Sequence, residues 1–187
     1  SSTLALIDGS LIMWPLEPYT DIVKKTLLDK GYLHYLDEMR KLNKDRRLAI
    51  ASYISFPRSN DVINALRVAR CMAEVVDTDL CSDCTSRECD KVAGVRDREL
   101  FINILSSGER SAVFLSQSSI VENHYGLHQI YFFYLRADDE VARVEVPQWV
   151  AMDEGLLNLT HTLVLDQCRR GQGYPVALSE AHEQAVV

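Results

Sequence analysis

Long apolar runs, a surplus of basic residues and an export signal are all missing from this sequence. No apolar run approaches the roughly 20 residues that a membrane-spanning helix needs, and no charged start followed by an apolar stretch indicates a signal peptide. Acidic residues outnumber basic ones by 27 to 20, for a net charge of −7, which excludes a protein that coats nucleic acid or an anionic membrane through charge alone. We therefore expect a cytoplasmic protein with no membrane association, and any nucleic acid it binds must be held locally.

Four of the five cysteines lie in one short stretch: Cys71, Cys81, Cys84 and Cys89. In a cytosolic chain an odd, clustered set favours metal binding over disulfides. The Cys-x-x-Cys pair is a common half of a zinc site, although the full spacing matches no finger or ribbon. Structural zinc, an iron–sulfur cluster and free or disulfide-bonded cysteines remain open alternatives. The fifth, Cys168, is expected to be a buried packing residue.

The 187 residues are 47% hydrophobic, enough for one domain around one sizeable core. Apolar runs predict strands at 3–8, 48–55 and 111–117, and two β-rich runs on either side of residues 138 and 139 predict an antiparallel hairpin. Amphipathic or capped segments predict helices at 21–43, 59–72, 96–105, 155–168 and 177–187. Gly31 is a candidate break in the first of these helices. This alternation predicts an α/β fold with a mixed sheet and flanking helices.

Asp8 lies at the carboxyl end of the first predicted strand, where the sequence reads IDGS. Ligands of open α/β sheets bind at that end of the strands, and Gly9 lets the backbone turn sharply there. A turn-capping role is an equally good interpretation of a lone Asp-Gly-Ser. Phosphoryl-aspartate chemistry is excluded, because Ser10 occupies the place where a second aspartate is needed.

A second candidate segment is GQGYPVALSEAHEQAVV, residues 171–187. Its two glycines predict a tight turn, and Pro175 suits the start of a helix. On that helix His182 is predicted to share one face with apolar residues such as Leu178, which is more typical of a core histidine than of a ligand. Tyr174 has a similar alternative as a core aromatic with its hydroxyl at the surface.

Five strings, taken in order, form one larger pattern: IDGSLIMW, YISFPRSNDVINALR, LSSGERSAVF, FFYLRADDEVARVEVPQWVA and QCRRGQGYPVALSEAHEQAVV. The pattern covers nearly the whole chain and resembles the carboxy-terminal portion of the NurA nuclease family, cyanobacterial members in particular. The resemblance implies an RNase H-like fold, manganese-dependent cleavage of DNA ends, a dimer, and work with the hexameric ATPase HerA. It matches Asp8 to a catalytic metal-binding aspartate, Tyr174 to the active-site tyrosine and His182 to the histidine near the end of the domain.

The chemistry of that trio is consistent with phosphodiester hydrolysis, in which divalent cations activate a water and neutralise developing charge. Asp8 offers a hard oxygen ligand, and the imidazole of His182 shifts the preference from magnesium, the alternative ion, towards manganese. Tyr174 is expected to donate a hydrogen bond to a phosphate oxygen or to orient the water. Glu145 is better explained by a salt bridge to Arg143 on the same strand face than by a role as a ligand.

Local positive charge is the remaining requirement for DNA contact. Arg58 follows the strand predicted to run beside that of Asp8, so both are expected to lie at one sheet edge and Arg58 to bind substrate. A second basic group comprises Arg40, Lys41, Lys44, Arg46 and Arg47. It is better explained as a solvated helix end, stabilised by the helix dipole, than as a DNA site.

The resemblance also implies that residues 1–187 are a partial NurA-like domain with a Cys-rich insertion at about 71–90. We expect the RNase H-like sheet to lack its first strands, leaving an unpaired edge for a dimer partner or another segment. Asp8 and His182 are expected to share one ion, with no third carboxylate, such as Glu17 or Asp21, completing the shell. Two functions follow: a manganese-dependent nuclease for DNA ends, or a non-catalytic nucleic-acid-binding or assembly module stabilised by a four-cysteine metal site.

Overall fold

A computed structural model describes residues 2–186, apart from the side chains of residues 44–46. Its centre is a mixed five-stranded sheet in the order β1-β2-β5-β4-β3, flanked by helices, which confirms the predicted α/β class. The strands are β1 (Thr3–Asp8), β2 (Leu48–Ile54), β3 (Phe114–Leu115), β4 (Ile130–Ala137) and β5 (Glu140–Pro147). β1 and β2 are parallel, and the other neighbouring pairs are antiparallel.

Helical segments connect the strands and cover the sheet. The helices are α1 (Asp21–Lys24), a π-helical segment (Lys25–Tyr32), α2 (Leu33–Arg46), α3 (Asp61–Ala69), α4 (Asp97–Ile104), α5 (Ser119–His124), α6 (Gln148–Ala151), α7 (Glu154–Arg170) and α8 (Val176–Ala185). Short 3₁₀ turns span Trp14–Leu16, Thr78–Asp83, Glu88–Val92 and Gly126–His128. Within residues 2–186, no helix combines the length and the apolar character needed to cross a membrane.

Two local predictions need correction. Gly31 does not break the first helix, because the chain passes through it in π-helical turns and the amide of Leu33 donates to the carbonyl of Leu28, the i→i−5 pattern of a π-helix. The strand predicted at 111–117 shrinks to β3. Its pairing with β4 is interrupted where the Tyr134 amide donates at 2.9 Å to the hydroxyl of Ser111 instead of to a backbone carbonyl.

Strand β2 is buried on both faces, as its lack of polar alternation predicts. Tyr53 belongs to a core cluster shared with Val164 and Cys168 of α7. Ile50 points to the opposite face and packs in a second cluster with Leu28 of the π-helical segment. Cys168 is completely buried, which confirms its predicted packing role.

Strand β1 forms one edge of the sheet, with β2 as its strand neighbour in the described part of the chain. The parallel register pairs Asp8 with Tyr53. The carboxyl ends of β1 and β2 therefore open at the same place, where sequence reasoning put Asp8. That a partner or another segment covers the outer edge of β1 stays a prediction.

Candidate active site at the end of strand β1

Three side chains from distant parts of the sequence meet at the carboxyl end of β1. The Tyr174 hydroxyl donates to Oδ1 of Asp8 at 3.0 Å, across 166 positions of sequence. Nε2 of His182 lies 2.9 Å from Oδ2 of the same carboxylate. Both α7 and α8 contact β1, and this packing brings the three groups together at an edge where Asp8 and His182 are open to solvent. Their catalytic role stays a prediction.

The turn that carries Tyr174 is shaped by two glycines. Gly173 has a φ of +113°, which residues with side chains rarely adopt. A Cβ on Gly171 would lie 1.9 Å from the carbonyl oxygen of Tyr174, so a larger residue cannot fit there. Tyr53 donates to the carbonyl of Gly173 at 3.3 Å, and its ring packs edge-on against that of Tyr174. A strand of the central sheet therefore fixes the turn directly.

The helix face that His182 shares with apolar residues is not buried along its length, contrary to what a core histidine requires. Leu178 packs into the core, but Ala181, His182, Ala185 and Val186 are all exposed. α8 reaches the core at Leu178, and its residues from Glu180 onward are exposed. The core-histidine alternative is thereby excluded, since the imidazole contacts the Asp8 carboxylate instead.

Tyr174 is held in its protonated form. Burial, followed by the hydrogen bond to Asp8, raises the pKa of Tyr174 to about 12. A phenol with this pKa is a hydrogen-bond donor at any physiological pH and cannot accept a proton as a general base. The side chain can therefore orient an acceptor oxygen, such as one on a phosphate.

The donor set of the site fits part of a manganese shell. Asp8 offers carboxylate oxygens and His182 an imidazole nitrogen, a combination that suits manganese better than magnesium. Across residues 2–186, no group of three or more His, Cys, Asp and Glu side chains is close enough to hold a metal ion. Glu17 instead accepts a hydrogen bond from Ser119, and Asp21 begins α1. Two donors leave most positions of a six-coordinate ion to water, phosphate or further groups.

Glu145 supports the site from the inside of the sheet. It is only 1% exposed, and its Oε1 accepts from Nε of Arg143 at 3.0 Å, which confirms the predicted ion pair. Its Oε2 accepts from the hydroxyl of Ser10 at 2.7 Å and from the amide of Leu11 at 2.9 Å. This buried carboxylate therefore fixes the loop that directly follows Asp8.

Sequence reasoning missed the contact of Glu145 with that loop. The available signal was a charged pair, Arg143 and Glu145, inside an otherwise apolar strand. Charged side chains are almost never fully buried unless they are paired, so the pattern indicated a satisfied network. The partner residues, 134 and 135 positions earlier in the chain, carried no local signal.

The basic residues considered for DNA contact divide into two groups. Arg58 is exposed, four residues beyond β2, whose parallel pairing with β1 puts both strand ends at one edge, and its substrate role stays a prediction. Arg40 and Lys41 instead form ion pairs with Asp37 on their own helix, which favours the solvated-helix interpretation. Arg47 is the α2 C-cap, and the side chains of residues 44 and 46 lie outside the described part of the chain.

The Cys-rich segment connects α3 to α4. In the described residues its four cysteines are free, with no disulfide between them. Hydrogen bonds from the backbone amides of Arg87 and Ser86 lower the pKa of the Cys84 thiol. Thiolate character is what a metal ligand requires, and metal binding itself stays a prediction.

The fold and the site together define an α/β protein with a carboxylate, a phenol and an imidazole gathered at the ends of its strands. The family model of the NurA domain matches residues 1–187. The chain therefore belongs to the NurA family, which is a family of nucleases. No match was found among curated proteins or among solved structures.

Proposed function

We propose that this chain is a manganese-dependent deoxyribonuclease that hydrolyses phosphodiester bonds at DNA ends. The observation that carries the proposal is the meeting of Asp8, Tyr174 and His182 at one solvent-open strand end. These are the three residues that the resemblance to NurA nucleases matches to catalytic positions, and membership of a nuclease family supplies the reaction class.

Each of the three side chains has a distinct task in this proposal. When bound, manganese neutralises the charge developing on the phosphate and supplies an activated water. Asp8 and His182 hold the ion, and for this the contact at 2.9 Å between Nε2 of His182 and Oδ2 of Asp8 must open, since both atoms are then needed as ligands. Tyr174, kept protonated by its raised pKa, exchanges its hydrogen bond to Asp8 for one to a non-bridging phosphate oxygen or to the water that it orients.

Substrate binding depends on local charge, because the net charge of −7 repels DNA at long range. Arg58 is exposed beyond the end of β2, and a guanidinium there can pair with a phosphate in a bidentate manner. Magnesium is the alternative ion, but the imidazole ligand favours manganese.

The wider setting of the activity follows from the family resemblance. We propose that the protein has an RNase H-like fold and acts in the cytoplasm as a homodimer. It would work with a HerA-type hexameric ATPase in DNA end resection for repair. The edge position of β1 supports the need for a partner, because an apolar edge strand with free backbone groups is prone to pair with another chain.

A non-catalytic nucleic-acid-binding or assembly role is the second candidate. The observation that favours it is the small ligand set, since no three metal-binding side chains of residues 2–186 come together. Carboxylates usually complete the coordination shells of nuclease metal ions. Without further ligands, the protein would keep the nuclease fold but would not cleave DNA.

Cleavage assays separate the two functions. The full-length protein is incubated with single-stranded DNA, linear duplex and closed circular duplex, each with manganese, magnesium or a chelator. We expect cleavage of the substrates with ends in manganese, weaker cleavage in magnesium and none with the chelator. Absence of cleavage by the folded full-length protein in manganese would favour the non-catalytic role, and equal cleavage of closed circles would contradict the preference for ends.

A further inference from the structure

The segment between α3 and α4 lacks any buried side chain. From Cys71 to Arg96 every residue is exposed or half-buried. Its apolar residues do not form a core of their own, since Met72, Val75 and Leu80 are largely exposed. Burial of apolar surface is the main force that holds a segment in one conformation, so this one needs a different constraint, as small domains without a core do.

The four cysteines of the segment face two adjoining cavities. One cavity of about 480 Å³ is lined by Cys71, Cys81 and Cys84. Its neighbour of about 360 Å³ is lined by Cys71, Cys81 and Cys89. Cys71 and Cys81 therefore line both cavities, and each cavity adds one further cysteine, Cys84 or Cys89.

The spacing of the thiols distinguishes between metals. Two residues separate Cys81 from Cys84, and four separate Cys84 from Cys89; both intervals fall within the Cys-x₂₋₄-Cys range of structural zinc sites. The order of the intervals differs from the runs that hold iron–sulfur clusters, which read C-x₂-C-x₂-C-x₃-C or C-x₄-C-x₂-C. The pattern therefore favours zinc.

We propose that Cys71, Cys81, Cys84 and Cys89 bind one zinc ion, which joins the end of α3 to the two 3₁₀ turns. In the arrangement described for residues 2–186, no three of these thiols are close enough to hold an ion, so binding draws them together and closes the two cavities. The site has a structural role and lies outside the Asp8 centre, so it does not depend on the proposed nuclease activity.

Metal content of the purified full-length protein tests this site. We expect about one zinc per chain by elemental analysis, no visible absorption, and insertion thiols that react with a thiol reagent only after a chelator is added. Cys81→Ser and Cys84→Ser should each reduce bound zinc at least twofold. The matched control Ser82→Ala, an exposed residue between the two ligands, should keep it.

Two results would overturn the proposal. One is less than half a metal equivalent together with freely titratable thiols in the untreated protein. The other is stoichiometric iron and acid-labile sulfide with visible absorption. Limited proteolysis gives a readout if a variant folds poorly: chelation of the wild-type protein should expose 71–94 to cleavage, and an unchanged pattern would contradict zinc as the constraint. These measurements do not depend on nuclease activity, so the zinc site can be tested even if the proposed function is wrong.

Discussion

Reactive side chains gather at the sheet edge around Asp8 and in the insertion between α3 and α4. The two regions differ in how much buried structure surrounds those side chains. Behind Asp8 lie β2 and β5, most of whose residues are buried, and Glu145 ties the adjoining loop to the core through two hydrogen bonds. The insertion has no buried residue between Cys71 and Arg96. A rigid core can place a few polar atoms at fixed distances, whereas an unburied segment depends on its own ligands for order.

The largest expected effect on stability comes from replacing a buried glutamate, and the same replacement at an exposed glutamate is its control. Arg143 pairs with both Glu145 and Asp61. Glu145→Ala leaves Arg143 buried without the first of these carboxylates, and we expect the free energy of unfolding to fall by about 3–5 kcal/mol. Glu74→Ala, the same change within the insertion, should alter it by less than about 0.5 kcal/mol. Urea denaturation of both variants measures the difference, and equal values would remove the contrast between the two regions.

The next effect concerns His182, which is exposed and so affects activity rather than stability. His182→Ala should lower manganese-dependent cleavage about 100-fold by removing one metal ligand, with the melting temperature unchanged. His34→Ala, an exposed histidine of α2, is the control and should retain full activity. Activity of the His182 variant equal to that of the control would show that the imidazole has no part in the reaction.

A smaller loss is expected for Tyr174→Phe, which removes one hydrogen bond. Cleavage should fall about tenfold. The factor should be constant between about pH 7 and pH 9, because a pKa raised to about 12 keeps the phenol protonated below that value. Tyr35→Phe, at an exposed tyrosine, is the control. A loss that grows or vanishes as the pH rises through this range would point to ionisation of the tyrosine and contradict its role as a donor.

The smallest expected effect on the core comes from the insertion itself. Cys84→Ser should leave the unfolding free energy of the sheet within about 0.5 kcal/mol of the wild type, because proteins open locally in separate units. Protease cleavage within 71–94 should nevertheless increase. Chemical denaturation followed by tyrosine fluorescence, together with mapped proteolysis, makes the comparison. A parallel loss of sheet stability would show that the insertion is part of the core.

Local pattern predicted the sheet well and the site less well. β2 and the β4–β5 hairpin follow from apolar runs and a turn, which depend on neighbours in sequence. The grouping of Asp8 with Tyr174 and His182 came from family resemblance, since no local rule joins residues 166 positions apart. Periodicity grouped His182 with apolar residues on one helix face, but it cannot show that this part of the face lies outside the core. The contact of Glu145 with Ser10 was missed for the same long-range reason.

The central claim is that the site is built around the Asp8 carboxylate, and one pair of variants tests it. Asp8→Ala should lower manganese-dependent cleavage of linear DNA at least about 1,000-fold, with circular dichroism and melting temperature like the wild type. Asp166→Ala, which removes a partly exposed aspartate paired with Arg170 on α7, should stay within about twofold, as expected for a surface pair. Cleavage by the Asp8 variant at the rate of the Asp166 variant would contradict the account.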